Sequence, residues 1–302
     1  YFQGELVAAR RHGEQTLAII DAVRFPPQEF GYGVDPEVRT YSNMASVLLA
    51  LGYADQALQQ ARLAVARAHE VGHIQTIAAA LQFLESAHGG RREWREMQAH
   101  SITLVTLATT HNLPFWWAQG TTNYGIAISQ QGNLAEGLVQ IQHGLAVYRT
   151  TGATLGITRI LGWLAEIYDQ SGQIEQGLST LDEALQIAER NDEHAWEAEL
   201  YRLQGKLTLQ KQSKVTSRKS KVPSPQEREA ESCFLKAIEV SQKQQAKSWE
   251  LRATTSLARL WQQQGKRHEA RERLAAVYNW FTEGFDTKDL QETKALLEEL
   301  SQ

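Results

Sequence analysis

The sequence is poor in several features, and each shortage excludes a class of protein. Cys233 is the single cysteine among 302 residues, so no internal disulfide can form, and it is expected to pack as a small apolar side chain on a helix face. Six prolines and no segment of alternating Val, Ile and Thr disfavour a β-sheet fold. No apolar run reaches the roughly 18 residues of a membrane helix, and no signal-peptide pattern occurs, which predicts a cytoplasmic protein with no membrane partner.

Neither sign of charge dominates. Lys and Arg total 31 against 35 Asp and Glu, for a net charge of -4 and a pI of about 6.2. Such a balance gives no general attraction to phosphate backbones, which disfavours nucleic acid as a partner. The sequence also lacks a Gly-rich phosphate loop and any Ser-His-Asp or Cys-His pattern. No catalytic centre, cofactor or metal is therefore predicted.

One segment imitates a catalytic motif. His69-Glu70-Val71-Gly72-His73 has the H-E-x-x-H spacing that, on one continuous helix, holds zinc with two imidazoles and uses the glutamate as a base. The glycine falls where a helix should end, which would leave the two histidines on either side of a turn. A chance match in a turn is therefore favoured over a zinc protease.

What the sequence does have is helix-forming residues arranged in a long repeat. Hydrophobic residues make up 42% of the chain, with many Ala, Leu, Gln and Glu. A pattern of small and large residues recurs about every 40 residues, at offsets typical of helical hairpins in which small residues allow close helix contact. The anchor position of this pattern is occupied by Ala45, Glu85, Gly125, Ala165, Gly205 and Ala258, of which Glu85 and Gly205 fit the pattern less well.

The last step of the repeat is 13 residues too long. From Gly205, the second-helix alanine is expected at position 217, yet the matching triplet is Ala230, Phe234 and Ala237. The intervening stretch is rich in Ser and Lys with two prolines, which predicts a loop inserted between two helices. The basic residues of this stretch could contact nucleic acid, an anionic lipid or an acidic partner, although a solvated loop is favoured; they are Lys211, Lys214, Arg218, Lys219 and Lys221.

The pattern resembles the tetratricopeptide signature, which implies an all-α protein, a right-handed α-solenoid of tetratricopeptide-type helical hairpins, here with a period of about 40 residues. Such a period implies either longer helices or wider turns than the usual 34-residue repeat. The predicted organisation is a tag-like remnant at 1–4, a lone second helix and loop at 5–35, six repeats at 36–285 with an inserted loop at 211–225, and a capping helix at 286–302. The missing partner of the first helix suggests a piece of a larger protein.

Four stretches carry a closer likeness: GVDP at 33–36, LGYADQAL at 51–58, AKSWELR at 246–252 and WFTEGFDT at 280–287. They resemble the C-terminal repeat region of bacterial signalling proteins in which a class III adenylate cyclase, kinase or DNA-binding domain precedes a STAND-type ATPase. The repeats are more distantly similar to those of the maltose-operon activator. This resemblance implies a sensory or regulatory module that controls an upstream effector domain of the same polypeptide.

The first helices of tetratricopeptide hairpins line a concave groove, which suits an extended peptide, another protein partner or a small ligand. The groove positions are polar and contain an arginine in four of five repeats, which predicts bidentate contacts to carboxylates or phosphates. The predicted groove residues are Arg39, Gln119, Thr122, Arg159, Glu166, Asp169, Glu199, Arg202, Lys206, Arg252 and Arg259. Solvated faces of packed helices, a free-standing scaffold and a homodimerisation module remain alternatives.

Adjacent aromatics form a further candidate. Phe115-Trp116-Trp117 opens a predicted first helix. Because neighbouring residues on a helix point in different directions, the two tryptophans cannot both enter the same core. One of them is predicted to be partly exposed near the groove.

Overall fold

The computed structural model describes residues 1–23, 33–213 and 223–302. Within these ranges the secondary structure is entirely helical, which confirms the all-α fold. The helices are α1 (Leu6–Val23), α2 (Pro36–Leu51), α3 (Ala54–Val71), α4 (Ile74–Arg91), α5 (Trp94–Thr110), α6 (Pro114–Gln130), α7 (Leu134–Thr150), α8 (Ile157–Gln170), α9 (Ile174–Asn191), α10 (Glu197–Ser213), α11 (Pro225–Gln244), α12 (Lys247–Gln263), α13 (Arg267–Tyr278) and α14 (Lys288–Ser301). No helix of the described ranges is both long and apolar enough to cross a bilayer.

The chain forms two compact units, residues 5–154 with Tyr1 and residues 155–302 with residues 2–4. In the first unit the consecutive helices pair as hairpins α2–α3, α4–α5 and α6–α7, with α1 packed on α2. In the second unit the hairpins are α8–α9, α10–α11 and α12–α13, and α14 packs on α12 and α13. Each unit is therefore a stack of hairpins with its own core.

The extra residues of the long repeat lie in the helices. In the first unit α3 and α4 have 18 residues and α5, α6 and α7 have 17 each. The turn between α2 and α3 contains only Gly52 and Tyr53, and the turn between α4 and α5 only Arg92 and Glu93. Of the two explanations that the sequence left open, the structure supports longer helices.

Several helix ends follow from local sequence. Asp35 caps α2 by accepting hydrogen bonds from the backbone N–H groups of Glu37 and Val38, both at 3.0 Å, and Pro36 fits the first turn because its missing N–H would have no partner there. Gly52 ends the same helix at φ 101°, a left-handed conformation that glycine adopts without steric cost. These signals place the first predicted repeat where the sequence expects it.

Replacing Asp35 with alanine is expected to lower the free energy of unfolding by about 1–2 kcal/mol. The carboxylate is buried and its two N–H donors would lose their acceptor. Asp182, exposed in the middle of α9, is the control because its Asp→Ala change removes no cap. Urea unfolding followed by circular dichroism measures the difference, and equal losses for both variants would contradict the capping role.

Small residues bring the paired helices together as the repeat predicts. A Cβ atom at Gly125 would lie 2.7 Å from the Gly137 carbonyl oxygen, so α6 and α7 touch through their backbones. A Cβ atom at Gly205 would lie 2.7 Å from the Phe234 ring and 3.0 Å from the Ala230 carbonyl oxygen. The second contact confirms that Ala230, not position 217, is the partner of Gly205 across the insertion.

The helix before the insertion is longer than predicted. Lys211 was expected to open the inserted loop, but it lies in the last turn of α10, which ends at Ser213. Its ammonium pairs with Glu175 of α9 at 3.0 Å, and the neighbouring Leu207 is fully buried. The helix therefore continues three residues past the point where composition alone ends it. Lys214, Arg218, Lys219 and Lys221 lie outside the described residues.

The irregular second repeat is held by a buried carboxylate. Glu85 takes the anchor position of α4 and is fully buried. It accepts hydrogen bonds from the Ser101 hydroxyl and the Asn123 amide, both at 2.6 Å. A buried carboxylate requires such donors, so the residue that breaks the small-residue pattern is matched by polar partners on α5 and α6.

Candidate functional site

The H-E-x-x-H segment is divided by a helix end, as predicted. α3 stops at Val71, and Gly72 closes it at φ 72° with its N–H donating to the Ala68 carbonyl. His73 lies outside α3 as the residue preceding α4, and its Nδ1 is 3.0 Å from the Thr76 hydroxyl. Within the described ranges, no three His, Cys, Asp or Glu side chains are grouped as metal ligands.

Cys233 has the protected character expected of a packed thiol. The side chain is half-buried, and its sulfur lies 3.8 Å from the Gln204 side-chain oxygen. Burial raises the pKa of this thiol to about 11. The thiol is therefore protonated at neutral pH and is a poor nucleophile.

The paired tryptophans of α6 separate as predicted. Trp116 donates its indole N–H to Gln75 of α4, whereas Trp117 meets His143 of α7 with ring centroids 5.0 Å apart. Both indoles are half-buried, and Phe115 contacts Tyr148. These rings tie α6 to its neighbours on two sides, which is mainly a packing role.

Three of the predicted groove residues belong to the first unit. Arg39 is exposed on α2, while Gln119 on α6 is buried. Thr122 is fully buried, its hydroxyl donates to the Ala118 carbonyl at 2.8 Å, and it lies where Gly144 of α7 approaches. The position that was expected to face a ligand is instead part of the α6–α7 contact, because Gly144 has no side chain to hold the helices apart.

The other eight predicted residues lie on α8, α10 and α12 of the second unit, and most of them form ion pairs with one another or with carboxylates of α14. The cations are Arg159, Arg202, Lys206, Arg252 and Arg259, and the carboxylates are Glu166, Asp169, Glu199, Asp289 and Glu292. We call this set the charged strip. It brings together residues from four helices that are far apart in sequence.

The centre of the charged strip is a buried network. Glu199 receives a bidentate pair of bonds from Arg202, at 2.8 and 2.9 Å, and a third contact from Arg252 at 3.2 Å. Arg252 also donates to Asp289 of α14 at 2.6 Å. The Glu199 side chain is 3% exposed, and those of Arg202 and Arg252 are 10% exposed. The network joins α10, α12 and α14.

Electrostatics keep Glu199 and the two arginines of this network charged. Burial alone would raise the pKa of Glu199, but the positive charges of Arg202 and Arg252 outweigh it and lower that pKa to about 2. Burial would lower the pKa of Arg252, yet Asp289 and Glu199 raise it above its ordinary value. Arg202 and Arg252, expected to hold a ligand carboxylate, are thus engaged with carboxylates of the protein itself.

The edges of the charged strip are more accessible. Lys206 pairs with Asp169 at 2.8 Å and keeps 39% of its side chain exposed. The second oxygen of Asp169, Oδ1, is buried without a hydrogen-bond partner. Arg259 is 54% exposed and only 3.9 Å from Glu292, a loose contact. A ligand would therefore meet Lys206 and Arg259 before it met the buried arginines.

Comparison with known proteins places this geometry in context. Residues 158–191 match the tetratricopeptide repeat family model. The match covers the α8–α9 hairpin, which carries Arg159, Glu166 and Asp169 of the charged strip. A comparison with curated protein sequences found no match.

Three solved structures share the arrangement of hairpins. A Rap protein complexed with competence and sporulation factor superposes with a TM-score of 0.61 at 13% identity, over 99% of this chain and 72% of that one. NprR in complex with its cognate peptide NprX gives a TM-score of 0.61 at 14% identity, over 99% and 81%. The STAND protein with a tetratricopeptide repeat sensor from Pyrococcus horikoshii gives 0.50 at 14% identity, over 87% and 38%. At these identities the likeness shows the fold, a stack of tetratricopeptide-type hairpins.

Proposed function

We propose that the protein is a non-catalytic module that binds a protein or peptide partner, and that it serves as the sensory part of a multidomain bacterial signalling ATPase or cyclase. The charged strip of the second unit is the observation that supports binding of a protein or peptide partner. Its buried centre holds α10, α12 and α14 in fixed positions, while Lys206 and Arg259 present positive charge at the edge. A rigid base with accessible charges suits recognition of an extended, acidic peptide.

The fold supports the same proposal by analogy. The Rap protein and NprR structures hold a bound factor and a cognate peptide, respectively, and the Pyrococcus horikoshii protein carries its repeats as a sensor. Fold likeness alone does not transfer a ligand. The resemblance of the four sequence stretches to STAND-type signalling proteins adds the multidomain context to the proposal.

The test is a fluorescence-anisotropy screen of the full chain against labelled acidic and basic peptides of about 12 residues. We expect acidic peptides to bind, and the double variant Lys206→Glu with Arg259→Glu to weaken binding at least tenfold because it reverses both accessible charges. The matched control is Lys236→Glu on α11, a cation 45% exposed on the second helix of its hairpin.

Two results would count against the charged strip. Peptide affinity that is unchanged in the double variant would place binding elsewhere on the protein. An equal loss in Lys236→Glu would show that net charge, rather than the strip, governs binding. Salt dependence adds a further check, since binding through two exposed cations should weaken clearly between 50 and about 300 mM salt.

A further inference from the structure

We propose that the corner between α9 and α10 is a docking site for a short peptide segment in a turn conformation, and that residues 2–4 of the chain occupy it. These residues belong to the second unit although they begin the sequence. The backbone N–H of Ala195 donates to the Phe2 carbonyl at 3.0 Å, and the Gln3 amide donates to the Asp192 carboxylate at 2.6 Å. Among the described residues outside regular helices, the Ala195–Phe2 bond is the one backbone hydrogen bond between distant parts of the chain.

The corner itself is rigid. Gln244 of α11 donates to the His194 carbonyl at 2.8 Å, and the Trp249 indole of α12 donates to the Ala195 carbonyl at 3.2 Å. Glu193 is buried and accepts from the Gly156 N–H at 3.0 Å and from the Thr158 hydroxyl. The loop is thus fixed by side chains from other helices, and it directs the Ala195 N–H toward an acceptor outside the corner. A preorganised donor binds a peptide carbonyl at a reduced ordering cost.

The occupant defines which peptide chemistry fits. Gly4 is buried at φ 82°, and a Cβ atom there would lie 2.7 Å from the Gln244 side-chain nitrogen. Gln244 has little freedom to move away because the same nitrogen bonds His194. A glycine is therefore required at this point, after a residue that can donate a hydrogen bond to Asp192. The ligand class is a turn-forming segment with a backbone carbonyl, a side-chain amide and a left-handed glycine at successive positions.

Residues 1–4 were predicted to be a tag-like remnant, and their origin does not change the chemistry of the corner. A segment attached to the same chain has a high effective concentration and would exclude peptides added in solution. The docking site is separate from the charged strip. This proposal shares with the proposed function only the idea that the ligand is a peptide. Reversal of Lys206 and Arg259 should leave it unaffected.

The experiment uses the full chain with Gly4→Val, which introduces a β-branched side chain at a left-handed φ and against Gln244. Hydrogen exchange of the Ala195 amide, followed by NMR, should become at least tenfold faster as the segment leaves. Added acetyl-Tyr-Phe-Gln-Gly-amide should restore slow exchange in Gly4→Val and have no effect on the unaltered chain. The control is Gly265→Val, which has the same backbone strain at φ 83° but no neighbouring atom within 4 Å.

Every result decides the proposal. Equal Ala195 exchange in the unaltered chain and in Gly4→Val, or no effect of the peptide on Gly4→Val, would overturn it. If Gly4→Val is not folded by circular dichroism, Gln3→Ala in the otherwise unaltered chain replaces it, because a change at Asp192 would also remove its ion pair with His194 and alter the left-handed end of α9. The loss of the Gln3 contact should then speed Ala195 exchange by about fivefold, and unchanged exchange would overturn the proposal. The added peptide should still slow Ala195 exchange when Lys206→Glu and Arg259→Glu are combined with Gly4→Val. That result would show that this site binds peptide independently of the charged strip.

Discussion

Replacing Glu199 with alanine is expected to lower the free energy of unfolding by about 3–5 kcal/mol. The change leaves Arg202 without its bidentate partner and removes one of the carboxylates that bond Arg252. A buried charge that loses its partner carries the full cost of its desolvation. Urea unfolding of the full chain, followed by circular dichroism, measures the loss.

The matched control is Glu239→Ala on α11 of the same unit. Glu239 pairs with Lys236 at 3.2 Å but is 71% exposed, so its removal should change stability by less than about 0.5 kcal/mol. A loss below about 1 kcal/mol for Glu199→Ala would indicate that water reaches both arginines, and the network would then be a surface feature rather than the support of α10, α12 and α14.

The same carboxylate predicts a pH dependence. The folded-state pKa of Glu199 is about 2, below its ordinary value of 4.5. Its stabilising contribution is therefore fully present above pH 4.5 and is lost as the pH falls toward 2. The difference in unfolding free energy between the unaltered chain and Glu199→Ala should shrink over this window. A difference that stays constant down to pH 2 would contradict the charge-based origin of the stabilisation.

The sequence was sufficient to predict the hairpins because small residues report directly on helix contact. Gly125 and Gly205 are spaced by the repeat, and each lies against the backbone or ring of its partner helix. Even the insertion could be located, since Ala230 and Phe234 continue the pattern on its far side. The end of α10 was placed three residues too early because the Lys- and Ser-rich stretch that predicted the loop begins inside the last turn of that helix.

The candidate site was harder to predict, because a repeat position specifies a direction but not a partner. Arg202 and Arg252 were assigned to a ligand, whereas Glu199 and Asp289 neutralise them within the protein. The i, i+3 spacing of Glu199 and Arg202 was an available signal of local pairing. Asp289 could not be found this way, since it lies 37 residues from Arg252 on a helix outside the repeat pattern.

The Ala195 corner had no sequence signal at all. Its donor is a backbone N–H, which every residue except proline carries. Its occupant lies at the start of the sequence, far from Ala195 along the chain. Only the fixed geometry of the loop distinguishes this N–H from others. Sites made of backbone atoms are therefore recognised from structure, whereas rows of small residues are recognised from sequence.

The second large effect is expected at Gly144 of α7, where alanine should lower the free energy of unfolding by about 2–3 kcal/mol. The new Cβ atom would lie 2.3 Å from the Thr122 hydroxyl, 2.8 Å from the Ala118 carbonyl oxygen and 2.9 Å from the Thr122 backbone nitrogen. Two of these atoms are backbone of α6, so α6 and α7 must separate, and the gain in helix propensity from alanine offsets only about 1 kcal/mol of that cost.

Gly162→Ala on α8 is the matched comparison, since it makes the same chemical change in a buried helix. Its new Cβ atom would meet the Leu200 methyl group at 3.2 Å and the Trp196 ring at 3.7 Å, both parts of side chains. The leucine can shift by a few tenths of an ångström, so stability should stay the same or rise by up to about 1 kcal/mol. Thermal and urea unfolding of the two variants would measure the contrast. Equal effects would mean that backbone contact between α6 and α7 does not hold the first unit together, and that its glycines are tolerated rather than required.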